Sequence, residues 1–327
     1  MKLAFFDTKP HDIASFDKPL ADAGFTVKYF DTHLNKDTAW LAYGYDAVCI
    51  FVNDVIDAKV VKILCDECGV KVAVLRCAGF NNVDLKACAG KLPVFRVPAY
   101  SPYAVAEHAM AMLLTINRRT HKAYIRTREF NFSLNNLCGF DLHGKTVGIV
   151  GAGKIGRVFA DICKGFGMRI LAYDKYPAPN SNLEYVELDT LFKESDIISL
   201  HCPLMDDTYH MVNADAIAAM KKGVTIINTS RGGLIDTDAL IAGLLARKVG
   251  AACLDVYEEE ADVFFEDRSG HIMDDEKLVR LIAMPNVLVT SHQAFLTEEA
   301  LDNIAATTMD NLQKFFAGEE NPTTKVC

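Results

Sequence analysis

The sequence predicts an α/β chain built from two doubly wound parallel-sheet domains, on three observations. Short β-branched or aromatic runs alternate with longer helical stretches from one end of the 327 residues to the other. Most of the runs are predominantly apolar rather than alternating with polar residues, which suits strands covered on both faces of a parallel sheet. With 50% hydrophobic residues, a chain of this length fills two cores rather than one.

Strands are expected first at 3–6, 27–30, 48–52, 72–75 and 94–97. The opening MKLAFFDTKPHD is broken by Asp7, Lys9 and Pro10, and lacks the long apolar core and cleavage site of a secretory leader. It reads as a first strand. RVPAYSP at 96–102 carries two prolines and marks a domain boundary near residue 100. Pro102 is a favourable first-turn residue, and 101–124 is small or apolar nearly all round, predicting one long buried helix. Further strands follow at 147–150, 170–173, 197–200, 225–228, 252–256 and 287–290, with helices between them. The last stretch, from Thr297, reads as an amphipathic helix with a threonine N-cap and acids in its first turn. Ala300 leaves the capping box incomplete. If this helix packs back on the first domain, the domains are 1–100 with 299–327, and 101–298.

Composition excludes several classes of function. A net charge of −9 disfavours a nucleic-acid partner, so the basic set Arg118, Arg119, His121, Lys122, Arg126 and Arg128 reads as a solvated helix face or a subunit contact. No apolar run is long enough for a membrane span. Ten cysteines in 327 residues are too dilute for a disulfide scaffold and point to a reducing cytoplasm. Cys65 and Cys68 form a C-x-x-C without a second pair or a histidine pair, so no metal is expected.

The most informative stretch is 145–176. A strand runs into Gly151, Ala152, Gly153, Lys154, Ile155 and Gly156, and a helix follows. Gly151 permits the tight turn, Gly153 lets the backbone approach a pyrophosphate, and Gly156 lets helix and strand pack closely. The next strand ends in Asp174, 18 residues after Gly156. An acid there accepts hydrogen bonds from the adenine ribose and repels a 2′-phosphate. The larger domain is thus expected to be a Rossmann dinucleotide-binding domain that takes NAD. Lys175 counts the other way, as a cation beside that ribose.

Three later strand ends carry the groups that reduction of a keto acid needs. These are a fixed cation for a carboxylate, a proton donor for the developing alkoxide, and a partner that aligns the donor. Arg231 follows one strand, Asp255 with Glu258, Glu259 and Glu260 the next, and His292 the last. Carboxyl ends of parallel strands are where such sheets hold ligands. A run of three acids has no internal register, so the residues alone leave the partner of His292 open. His201 reads as structural, and Glu107 and His108 as helix-packing residues.

The motifs FVND at 51–54, RCAGFNNVDL at 76–85, GAGKIG at 151–156, HCPL at 201–204, NTSRGGLID at 228–236, DVYEEE at 255–260 and SHQAFLTEEAL at 291–301 together resemble the D-isomer-specific 2-hydroxyacid dehydrogenases. The resemblance runs through almost the whole chain. It implies Arg231 as substrate anchor, His292 as acid/base and Glu260 as its partner. It also implies a substrate pocket using the Ala78 and Gly79 backbone with Tyr100 and Phe295. Cys202, Pro203, Thr208, Thr229, Ser230 and Asp255 would join Asp174 and the glycine turn at the cofactor. Where much of the family has proline after the glutamate, this chain has Ala261, and 262–278 is long and acidic. That departure resembles the lactate-forming branch, implying pyruvate and D-lactate as the substrate pair, and the resemblance as a whole implies a homodimer or homotetramer. The alternatives are a branched keto acid, glyoxylate or hydroxypyruvate, or an NADH-sensing module without turnover.

Overall fold

Unbroken apolar runs demand cover on both faces, and the strand pairings of both sheets are accordingly parallel. The computed structural model describes every residue except Asn180, Ala261 and Asp262, so the Ala261 departure lies outside the described residues. The chain divides into one unit of Met1–Ser101 with Phe295–Cys327 and a second of Pro102–Ala294.

In the first unit the strands are β1 (Lys2–Phe5), β2 (Thr26–Tyr29), β3 (Ala47–Ile50), β4 (Val72–Leu75) and β5 (Val94–Phe95). They lie in the order β2-β1-β3-β4-β5, and β3 and β4 are buried along their whole length. The helices between them are α1 (Pro10–Asp22), α2 (Ala58–Lys62) and α3 (Leu85–Cys88). Asp57 and Asp84 cap α2 and α3 by accepting from first-turn amides.

The second unit opens with α4 (Pro102–Arg118) and α5 (Thr120–Arg128). Its strands are β6 (Thr146–Val150), β7 (Arg169–Tyr173), β8 (Glu184–Tyr185), β9 (Ile197–Leu200), β10 (Val224–Asn228), β11 (Val249–Leu254) and β12 (Val287–Val289). They lie in the order β12-β11-β10-β9-β6-β7-β8. The order of successive strands reverses at β6, with β7 on one side and β9 on the other, which opens a crevice at the carboxyl ends of these strands. Helices α6 (Lys154–Gly165) and α4 cover one face, burying Met112, Leu113 and Phe159 over Ile149. Helices α7 (Leu188–Glu194), α8 (Ala214–Ala219), α9 (Thr237–Leu245) and α10 (Glu276–Ala283) supply Leu191, Ile217, Leu240 and Leu281 to the opposite core.

The last helix, α11 (Glu298–Ala317), belongs to the first unit. It buries Ile304, Met309 and Leu312 against Leu3, Phe5 and Val74, each worth about 2 kcal/mol of apolar burial. Thr297 caps it by accepting from the Ala300 amide, and Gly318 ends it at φ +75°.

One expectation is corrected, and one strand has no counterpart among those expected. The stretch 101–124 is two helices, because Arg119 turns the chain at φ +51°. The buried apolar residues end at Ile116, so α4 is buried while α5, whose apolar Tyr124 and Ile125 are exposed, has no buried residue. The two-residue strand β8, paired Leu171 to Glu184, is too short and polar to stand out in the sequence. No helix among the described residues is long and apolar enough to cross a membrane.

Candidate active site

The nucleotide turn is built by close packing. A Cβ on Gly151, whose φ is +95°, would lie 2.5 Å from the Cys202 amide nitrogen, and one on Gly156 would lie 2.0 Å from the Gly151 carbonyl oxygen. At Gly153 nothing lies within 4 Å of the missing Cβ, so this face of the turn is open. Gly153 is also the N-cap of α6 and offers no side chain, leaving first-turn amides and the positive end of the helix for an anion. Lys154, exposed, and Ile155, packed on the core, are the first helical residues.

Asp174 is distant from the glycines in sequence but adjacent in space, because Val150 pairs with Tyr173 across β6 and β7. One carboxylate oxygen accepts from the Ala152 amide at 2.8 Å and the other from the Tyr176 amide at 2.8 Å. The acid is therefore clamped beside the turn. The wall beyond β9 carries Cys202, Pro203 and Thr208. The Thr208 hydroxyl donates to the Pro203 carbonyl and accepts from the Met205 amide, both at 2.8 Å, and so shapes this segment. Ser230 ties the next strand end to it by donating to the Cys202 carbonyl at 2.6 Å. Thr229 is buried, and its hydroxyl has no hydrogen-bond partner among the described residues. A buried hydroxyl is costly to leave so, and a ligand on this wall would satisfy it. The open glycine, the uncapped helix, the clamped acid and this hydroxyl all suit a dinucleotide.

Two neighbours drop out as catalysts. Burial pushes the Cys202 thiol up to about 11, away from the reactive thiolate. His201 bonds Ser199 at 2.9 Å and packs on Phe159, and desolvation pushes it down to about 4, so it stays neutral.

The ends of β10, β11 and β12 hold the second group of residues. Asn228 folds the Arg231 segment by accepting from the Ser230 amide at 3.1 Å and donating to the Arg231 carbonyl at 2.8 Å. The half-buried Arg231 guanidinium donates to the Ser230 carbonyl at 2.7 Å. Behind it, a Cβ on Gly232 would lie 2.0 Å from the Tyr257 carbonyl carbon, so this segment is pressed against the loop carrying the three acids.

That loop resolves the acid run. Glu260 accepts from His292 Nδ1 at 2.9 Å with one oxygen and from the Tyr257 amide at 3.0 Å with the other. Glu258 instead pairs with His210 and accepts from the Thr237 hydroxyl at 2.8 Å. Burial alone would push Glu258 up, but these bonds hold it below the usual carboxylate range. Glu259 is exposed.

His292 sits at φ +53°, a left-handed conformation that a non-glycine residue keeps only when its surroundings over-determine it. Asp255 does so. Its carbonyl accepts from the His292 amide at 2.7 Å. Its fully buried carboxylate accepts from the Thr290 hydroxyl at 2.6 Å and from the Gln293 and Ala294 amides at 2.9 Å. Burial alone would push this carboxylate up, yet its donors, including His108 at 3.3 Å, hold it below the usual range. Asp255 was expected to line the cofactor; what its buried carboxylate does in the structure is fold the His292 loop. His108, expected only to pack its helix, supports the same loop, its Nε2 lying 3.2 Å from the Thr290 hydroxyl across 182 residues of sequence. No local signal marks that contact.

Ala78, Gly79, Tyr100 and Phe295 belong to the first unit. Tyr100 and Phe295 meet edge to face at 6.3 Å, with Phe51 at 6.0 Å from Phe295. Ala78 and Gly79 form the turn after β4, their carbonyls engaged by Arg96 at 2.8 Å and the Cys77 thiol at 3.2 Å.

Residues 110–294 match the family described as D-isomer specific 2-hydroxyacid dehydrogenase, NAD binding domain. The chain is 52% identical over 330 residues to D-lactate dehydrogenase of Escherichia coli strain K12, covering 100% of both chains. The apo-structure of D-lactate dehydrogenase from Escherichia coli superposes with a TM-score of 0.92 at 49% identity, again over 100% of both chains. A structure of the pyruvate reductase of Chlamydomonas reinhardtii gives a TM-score of 0.93 at 44% identity, over 98% of this chain and 97% of that one.

Proposed function

This chain belongs to the D-isomer specific 2-hydroxyacid dehydrogenase family, and we propose that within it the substrate is pyruvate, reduced with NADH to D-lactate. The observation that carries the reading is the 2.9 Å pairing of His292 with Glu260 at strand ends that also present Arg231. It occurs in a chain similar over its whole length to D-lactate dehydrogenase of Escherichia coli.

When bound, NADH supplies the hydride for the keto carbon. Gly151, Gly153 and the first turn of α6 hold the pyrophosphate, and Asp174 holds the adenine ribose. The planar guanidinium of Arg231 grips the substrate carboxylate with two parallel N–H donors. His292 delivers a proton from Nε2 to the carbonyl oxygen. Glu260 holds Nδ1, fixing the ring's orientation and which nitrogen exchanges the proton. On the first unit, the Ala78 and Gly79 amides with Tyr100 and Phe295 are the residues that the family resemblance assigns to the substrate pocket.

The test is NADH oxidation by the purified chain on a panel of pyruvate, glyoxylate, hydroxypyruvate and a branched 2-keto acid. The product is assayed with stereospecific enzymes. The highest kcat/KM is expected with pyruvate, and the product is D-lactate. A preference for the branched acid would replace the substrate, and NADH binding without turnover on any acid would leave a sensing module.

The ten cysteines, all free, suit a reducing cytoplasm, and the chain reads as a homo-oligomer. The support is α5 and the segment after it, where Tyr124, Ile125, Phe130, Phe132 and Leu134 are 54–84% exposed. Apolar side chains this concentrated mark an interaction surface. Changing Phe130 and Phe132 together to serine is expected to reduce the particle in sedimentation to a single chain. An unchanged mass would place the contact elsewhere.

A further inference from the structure

The residue after the ribose acid is a cation, and a lysine at that place favours an adenosine 2′-phosphate. The structure engages it elsewhere. The exposed Lys175 ammonium forms a close ion pair with the Asp207 carboxylate. Asp207 lies 32 residues on, in the segment after β9 that Thr208 folds through its bonds to Pro203 and Met205. Asp207 pushes Lys175 above the usual lysine range, and Lys175 in turn holds Asp207 below that of a carboxylate.

Asp207 shares the patch of the nucleotide turn. Asp174 and Asp207 both act electrostatically on the Cys202 thiol, and the Cys202 amide is the atom against which Gly151 is packed. The charges on this patch therefore sum differently with and without Asp207. With it, Lys175 and Asp207 cancel and Asp174 leaves the patch negative. Without it, Lys175 cancels Asp174 and is able to swing to a phosphate. An exposed ion pair adds little to stability, so what this one changes is the charge presented to a ligand.

We infer that Asp207 is a cofactor-specificity residue, which by occupying Lys175 keeps the ribose patch negative and so excludes an adenosine 2′-phosphate. The inference rests on the reading of Asp174 as the ribose acid. A 2′-phosphate brings close to two negative charges at neutral pH, so a change of one unit in the patch acts on it far more than on a ribose hydroxyl.

The test is direct binding, independent of turnover. NADH and NADPH are titrated by nucleotide fluorescence, and adenosine 2′,5′-bisphosphate is compared with 5′-AMP by calorimetry. Asp207→Asn is expected to tighten NADPH about tenfold, with NADH changing far less, and to do so less at about 0.5 M salt. The bisphosphate should follow NADPH. The gain is expected to vanish when Lys175→Ala is added. An NADPH to NADH ratio unmoved by Asp207→Asn, or a gain that survives the loss of Lys175, would overturn the inference with the ribose reading intact. Asp174→Ala leaving NADH affinity untouched would overturn the ribose reading and this inference together.

Discussion

Replacing His292 with alanine is expected to lower kcat for pyruvate reduction by about 10²- to 10⁴-fold, the usual worth of a positioned general acid, while leaving NADH affinity nearly unchanged. The two halves of that result come from different parts of the sheet. The nucleotide turn lies at the ends of β6 and β7, and His292 follows β12, beyond β9, β10 and β11 in strand order. The substitution removes the ring that bonds Glu260 at 2.9 Å but none of the backbone bonds that fold the loop, because Asp255 binds the amides of residues 292–294. Alanine at φ +53° is no more comfortable than histidine, so the loop keeps its shape and the melting temperature should move little. The expected signature is an equal fall in kcat and kcat/KM, which marks an interaction made in the transition state rather than in substrate binding. Turnover within a few-fold of the parent would remove His292 from the chemistry.

What could be read from the chain before its fold was known depended on how local the signal is. The glycine turn and Asp174 were legible because strand, turn, helix and strand follow one another without interruption. Adjacent parallel strands then bring the acid to the Ala152 amide. The buried strands were legible because both faces are covered, so each is an unbroken apolar run, whereas β8 is a polar two-residue edge strand and carries no such run. The break at Arg119 has no glycine or proline to announce it, and an arginine is a residue that rarely adopts the left-handed region, so nothing local signals the turn. The acid run shows the limit most clearly. Glu258 and Glu260 look alike in sequence, but the turn from Tyr257 to Glu260 sends one to His210 and the other to His292. The task of His108 depends on where α4 crosses β12 and has no local trace at all.

Gly232→Ala is expected to be nearly as damaging as loss of the histidine, for a purely geometric reason. The added Cβ would stand 2.0 Å from the Tyr257 carbonyl carbon, 2.1 Å from its oxygen and 2.3 Å from the Glu258 nitrogen. These are backbone atoms, so no side chain is able to rotate out of the way. The two strands leading into the contact are fixed in register, Asn228 against Leu254, and the Asp255 amide donates to the Asn228 carbonyl at 2.9 Å. The displacement must therefore be taken up by the loops themselves, which carry Arg231 on one side and Glu260 on the other. Restoring ordinary contact needs a shift of more than about 1 Å, and a misplacement of that size costs on the order of 100-fold in rate. The expected result is a fall of about 100-fold in kcat/KM, with KM for pyruvate rising because the carboxylate anchor moves along with the partner of His292. Overpacking of this kind costs about 1–3 kcal/mol, so the variant should still fold and bind NADH, with a melting temperature a few degrees lower. A few-fold loss alone would mean that this contact does not set the register of the two loops. A 100-fold loss with NADH binding retained would identify Gly232 as the point that holds Arg231 and Glu260 to one another.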